Sequence, residues 1–167
     1  MNRITEADRA YLSRAISLSK VSLEDDGKTP FGAVLVYGGE VAGEGTASVV
    51  EQDDPTAHAE IIALRRAGAR LRRHLLEGSV MYSSSEPCPM CLAACYWARV
   101  ARIVFGATSH DVAAHGFEDL RYYRELTSPP EHRTVSADAP DGALRGQATA
   151  VLRAWAELYP EPVEPKY

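Results

Sequence analysis

The chain has 167 residues, 46% hydrophobic and 25% charged, with a formal net charge of −5. That size and balance fit one globular domain with a real core, and no stretch approaches the ~20 apolar residues of a membrane span. The acidic balance argues against a protein built to grip a nucleic-acid backbone, which carries a basic footprint. The polar opening "MNRITEADRAYLSRA" is unlike a signal peptide, so a cytoplasmic protein is expected, and three cysteines in that compartment point away from a disulfide framework.

In chain order, "TEADRAYLSRAISLSKVSLED" reads as an opening helix with Thr5 as its N-cap. Tyr11, Ala15 and Leu18 form one apolar row on it, with Leu12, Ile16 and Leu23 beside them. "FGAVLVY", Gly38-Gly39 and "EVAGEG" read as a β-hairpin. An irregular segment leads to a helical pattern from about Thr56 to Ala69. "GSVMYSS" is a buried strand, Pro89 to Arg99 a helix, and "ARIVFGA" another strand. Residues 109–133 read as a loop with one short helix, "RTVSA" as a last strand, and "ALRGQATAVLRAWAELY" as a last helix. Pro160, Pro162 and Pro165 prevent the tail from being helical throughout.

Strands alternating with helices predict an α/β fold: a three-layer α/β/α arrangement around a mixed central sheet of about five strands. The first two strands are expected antiparallel and the later ones, separated by helices, parallel. The expected organisation is one domain over residues 1–159 with a tail at 160–167.

The stretch "SSSEPCPMCL" places Cys88 and Cys91 three apart at a helix start. Metal binding, a redox pair and plain core filling are the options. Positions i and i+3 lie about 60° apart on a helix, so both sulfurs share a face. A helix N-terminus favours thiolates, and zinc takes three protein ligands plus water at a catalytic centre. "PTAHAE" also opens a helix after a strand; it offers His58 as third ligand, with Glu60 two residues on. On a regular helix i and i+2 point about 200° apart, so His58 and Glu60 share a site only in an irregular first turn. Cys95 is a poor fourth ligand, because about 10 Å of helix rise separates it from Cys88. A redox pair explains neither His58 nor Glu60. The split pattern H-x-E…P-C-x-x-C is a zinc-deaminase signature. In that chemistry zinc lowers the pKa of a water and Glu60 shuttles its proton, leading to hydrolytic loss of ammonia.

"DPTAHAEIIAL" and "YSSSEPCPMCLAACYWARV" resemble the cytidine deaminase-like superfamily, nearest its bacterial guanine deaminases; "TPFGAVLV", "HGFEDLRYYREL" and the terminal Lys166-Tyr167 extend the likeness over most of the chain. The resemblance implies a zinc enzyme acting on a small nucleobase, guanine or a guanine-like aminopurine. It further implies a homodimer with a C-terminal tail that is swapped in some relatives. Phe31 matches an aromatic lining the base pocket, Trp97 a pocket aromatic at a subunit contact, Asp119 a second carboxylate in base recognition and deamination, and Tyr167 a residue closing over substrate. Taken alone, Phe31 reads as core, Glu118 and Asp119 as solvated helix-start acids, and the tail as disordered. The family usually carries Asn where this chain has Ala47, which cannot hydrogen-bond a base; Ser48 is the neighbouring hydroxyl that would have to substitute. The competing readings are a cytosine or aminotriazine deaminase, a tRNA adenosine deaminase using the basic run at residues 65–74, and a zinc-stapled binding protein without turnover. The intact Glu60 argues against the last.

Overall fold

A computed structural model describes residues 4–159. The expected Tyr167 contact and the tail at 160–167 lie outside the described residues. Two compact units are distinguished, one ending at Arg124 and one beginning at Glu125.

In the first unit, helix α1 (Glu6–Ser19) starts with a reciprocal capping box between Thr5 and Asp8. A 3-10 turn, Lys20–Leu23, continues it. Strands β1 (Gly32–Tyr37) and β2 (Glu40–Thr46) form the expected hairpin. Gly38 and Gly39 both have positive φ at its tip, as a tight two-residue turn requires. Helix α2 (Ala59–Leu71), strand β3 (Val80–Ser85), helix α3 (Pro89–Trp97) and strand β4 (Arg102–Ala107) follow. Two helices then occupy the region expected to hold one, α4 (Ser109–Ala114) and α5 (Asp119–Thr127). Thr108 caps α4 through its own capping box with Asp111, which the helix pattern of six residues was too short to reveal.

The sheet has the order β2-β1-β3-β4, with β1 antiparallel to both β2 and β3 and β3 parallel to β4. The mixed sheet is as expected; among the described residues it has four strands rather than about five. "RTVSA" is not a strand because its polar groups are bonded locally. The Thr134 amide donates to the Glu125 carboxylate at 2.9 Å, and Arg133 donates to the Ser128 and Leu126 carbonyls.

Period-two alternation splits the core. Ala33, Leu35 and Met81 face one side, with Ala59, Ala63 and Ala67 of α2 and Cys95 of α3. Val34, Val36, Tyr82 and Val104 face the other, against Ala15, Tyr11 and Leu12 of α1. Helices therefore cover both faces. On the α1 side, the buried Asp8 carboxylate accepts from Tyr82 Oη at 2.8 Å and from two Arg102 nitrogens at 2.9 and 3.2 Å, tying α1 to β3 and β4. On the other side, α2 lies against β2 so closely that a Cβ on Gly45 would stand 2.2 Å from the Ala59 carbonyl oxygen. That contact fixes where α2 begins.

Three arginines of the basic run make contacts within the fold. Arg66 and Arg70 donate to the Glu44 and Val41 carbonyls of edge strand β2, and Arg73 bonds and stacks on Tyr37. In the second unit, helix α6 (Ala143–Leu158) carries exposed Leu144, Val151, Leu152, Trp155 and Leu158 on its surface.

Candidate active site

Two helix N-termini converge at the C-terminal end of β3. His58 is the N-cap of α2 and Cys88 the N-cap of α3, both with extended backbone, and neither side chain caps its own helix. Both are thereby free to face the space between the helices. The extended N-cap also resolves the periodicity problem: His58 precedes the regular helix, so Glu60 two residues later turns to the same side. The helix starts at Ala59, three residues later than the pattern indicated. Cys91 lies in the first turn of α3 and is fully buried.

One ligand atom each from His58, Cys88 and Cys91 lies within 4.8 Å of the others, and His58 Nδ1 is 3.6 Å from Cys88 Sγ. Tetrahedral zinc with bonds of about 2.0–2.3 Å holds its ligand atoms roughly 3.5 Å apart, so the donor set fits the ion. The protonation chemistry fits too. Hydrogen bonding from Cys91 pushes the Cys88 thiol well down against the effect of burial, with His58 adding to the pull. The Cys91 thiol goes up, chiefly because it donates to Cys88. The Cys88 sulfur raises His58. A proton shared in this way between two sulfurs is what a thiolate-binding dication displaces. Cys95, one helical turn further on, is buried in the α2-side core and its thiol is pushed up to about 12 by burial.

Glu60 is 4% exposed, and burial raises its carboxyl above the usual range. Its Oε1 accepts from Ser83 Oγ of β3 at 2.7 Å. Ser83 escaped the sequence reading; its place in "SSSEPC", directly before the metal-type motif, was the available signal.

His58, Glu60 and Cys88 line a cavity of about 290 Å³ together with Phe31, Ala47, Val49, Phe117 and Asp119. Phe31 and Phe117 meet edge to face with centroids 4.8 Å apart. Asp119, first residue of α5, is raised by desolvation and then by the nearby Cys88 sulfur. Its neighbour Glu118 also lines the cavity but pairs with Arg121 and Tyr122. Phe117, Glu86 and Tyr122 complete the wall and were not foreseen. Ala47 presents only its methyl group, since its amide donates to the Phe31 carbonyl and its own carbonyl accepts from Thr29. Ser48 does not replace the missing polar group: it is buried, accepting from Lys28 Nζ at 3.0 Å and donating to the Thr46 carbonyl. Trp97, at the end of α3, is 63% exposed and does not line this cavity.

Among the described residues no Lys or Arg lines the cavity. Glu86 lines it and anchors the wall: its Oε2 accepts from the Ser109 amide and hydroxyl at the start of α4, at 2.8 and 2.5 Å.

Residues 5–107 match the family described as the cytidine and deoxycytidylate deaminase zinc-binding region. The chain is 42% identical over 125 residues to the guanine deaminase of Bacillus subtilis, spanning 75% of this chain and 80% of that protein. A solved structure of guanine deaminase from Bacillus subtilis superposes with a TM-score of 0.83 at 36% identity, covering 94% of this chain and 95% of that one. The guanine deaminase of Nitrosomonas europaea superposes with a TM-score of 0.64 at 30% identity, covering 92% and 86%. A tRNA-specific adenosine deaminase of Buchnera aphidicola is 43% identical over 94 residues, 56% of this chain and 62% of that protein.

Proposed function

Since the chain belongs to the cytidine and deoxycytidylate deaminase zinc-binding family, we propose that it is a hydrolytic deaminase of a free nucleobase, guanine or a guanine-like aminopurine. The observation that carries the reading is the buried Glu60 facing the same cavity as the His58–Cys88–Cys91 cluster. A structural metal site has no use for a buried carboxylate beside it with a raised pKa.

His58, Cys88 and Cys91 would hold the zinc. Bound there, zinc supplies the Lewis acidity that lets water ionise near neutral pH. Glu60, held at one oxygen by Ser83, accepts the proton of the attacking water. It passes that proton to the ring nitrogen next to the amino-bearing carbon and then assists the departing amino group. The C–N bond breaks, a carbonyl forms and ammonia leaves. Phe31 and Phe117, packed edge to face, form an apolar wall against which the base packs, and Asp119 accepts a hydrogen bond from the edge of the base. Among the described residues the lining has carboxylates at Glu60, Glu86, Glu118 and Asp119 and no Lys or Arg side chain to pair with a phosphate. This favours a free base over a nucleotide. The tRNA reading is weakened because Arg66, Arg70 and Arg73 of the basic run are engaged by the protein's own carbonyls and phenol.

We further propose a cytoplasmic homodimer in which residues 160–167 of one copy cover the cavity of the other, with Tyr167 at its mouth. The exposed Tyr96 and Trp97 offer an aromatic surface for such a partner copy. No helix among the described residues is long and apolar enough to cross a membrane.

The test is ammonia release from the zinc-loaded protein across guanine, other aminopurines, cytosine, aminotriazines, nucleosides and tRNA. Guanine or a related free aminopurine is expected to be turned over best; turnover of tRNA or nucleosides alone would overturn the reading.

A further inference from the structure

The segment that contributes Phe117, Asp119 and Tyr122 to the cavity wall is tethered to the metal-type turn on both sides. At its start, Ser109 is held by Glu86. At its end, Tyr123 Oη donates to the Pro87 carbonyl at 2.7 Å. Pro87 immediately precedes Cys88, so the phenol grips the peptide that leads into the first sulfur. Tyr123 stands four residues after Asp119 in α5, and positions i and i+4 share a helix face. A bond that fixes the azimuth of Tyr123 therefore fixes which way Asp119 points, one turn earlier. Among the described residues no hydrogen bond sets the direction of the Asp119 carboxylate, unlike that of Glu118, which is paired to Arg121 and Tyr122.

We propose that Tyr123 is a positioning residue that holds Asp119 in register with the metal cluster, so that base recognition and deamination share one geometry. The proposal rests on the functional reading above. Tyr123→Phe removes one oxygen and keeps the ring, so packing is retained. The expected result, on zinc-loaded protein with guanine, is unchanged zinc content and a roughly tenfold fall in kcat/KM, carried mainly by KM, the size of one lost buried hydrogen bond. The same substitution in an Asp119→Asn background is expected to change kcat/KM by less than twofold, because the group it orients is no longer a carboxylate. A merely structural tyrosine would give the same loss in both backgrounds, and that result overturns the proposal, as does wild-type kcat/KM in Tyr123→Phe. The functional reading fails in a different arm: wild-type kcat/KM in Asp119→Asn alone removes Asp119 from the reaction and this role of Tyr123 with it.

Discussion

Gly45→Ala perturbs the active site without touching any side chain that lines it. Gly45 sits in β2 under the first turn of α2, and the added Cβ would lie 2.2 Å from the Ala59 carbonyl oxygen and 2.9 Å from Ile62 Cβ. Carbon–oxygen contacts settle at about 3.3 Å or more, so α2 must retreat by about 1 Å. The clashing oxygen belongs to the residue between His58 and Glu60, and both therefore move with it. A misplacement of about 1 Å costs on the order of 100-fold in rate, while overpacking costs about 1–3 kcal/mol of stability, several degrees in Tm for a chain of this size. The variant is expected to melt cooperatively a few degrees below wild type and to lose roughly 100-fold in kcat/KM for guanine. The assay is steady-state ammonia release at measured zinc content, with a thermal melt. Gly146→Ala is the control, since nothing lies within 4 Å of its added Cβ, and it should leave kcat/KM unchanged. Activity of Gly45→Ala within twofold of wild type would refute the argument that this contact positions α2.

Cys88→Ser and Cys91→Ser should each lose most of the bound zinc on dialysis, measured by elemental analysis; full retention in both would remove these residues from the ligand set. Ala47→Asn adds a hydrogen-bonding group to an apolar part of the cavity wall and should change the rate on guanine relative to other aminopurines and aminotriazines, with unchanged relative rates counting against a specificity role for position 47. Asp8→Asn should destabilise the fold by about 3 kcal/mol, as expected for breaking a buried ion pair, read by denaturant melts. The Thr5 amide, together with Arg102 and Tyr82, holds the Asp8 carboxyl well below its usual range. The wild-type advantage is thus complete above the unfolded value of about 3.9 and shrinks as pH falls from there through the lower folded value. A gap already lost at pH 5 would contradict this.

Sequence periodicity carried most of the fold. The Thr5 cap, the Gly38-Gly39 hairpin and the apolar runs of β1, β3 and β4 are local signals, and the structure follows them. "RTVSA" failed because a β-branched pair in a polar context says nothing about where its amides bond, and Glu125 satisfies Thr134 instead of a neighbouring strand. The metal cluster was legible because ligand chemistry fixes both residue type and spacing. That His58 and Cys88 are N-caps was not, since an N-cap whose side chain faces away from its own helix has no compositional mark. Phe117, Ser83 and Tyr123 were illegible for a further reason: each acts through a contact with a residue 23 to 86 positions distant, Phe117 with Phe31, Ser83 with Glu60 and Tyr123 with Pro87. Only the fold brings these together.

The role of Glu60 is decided by the rate of ammonia release from guanine by Glu60→Gln, with zinc counted in the same preparation. The amide keeps the shape of the side chain and can still accept from Ser83, but it cannot take up and return a proton. Undiminished zinc and a loss of about 10²–10⁴-fold in kcat are expected. Near-wild-type turnover with zinc in place would contradict this role of Glu60.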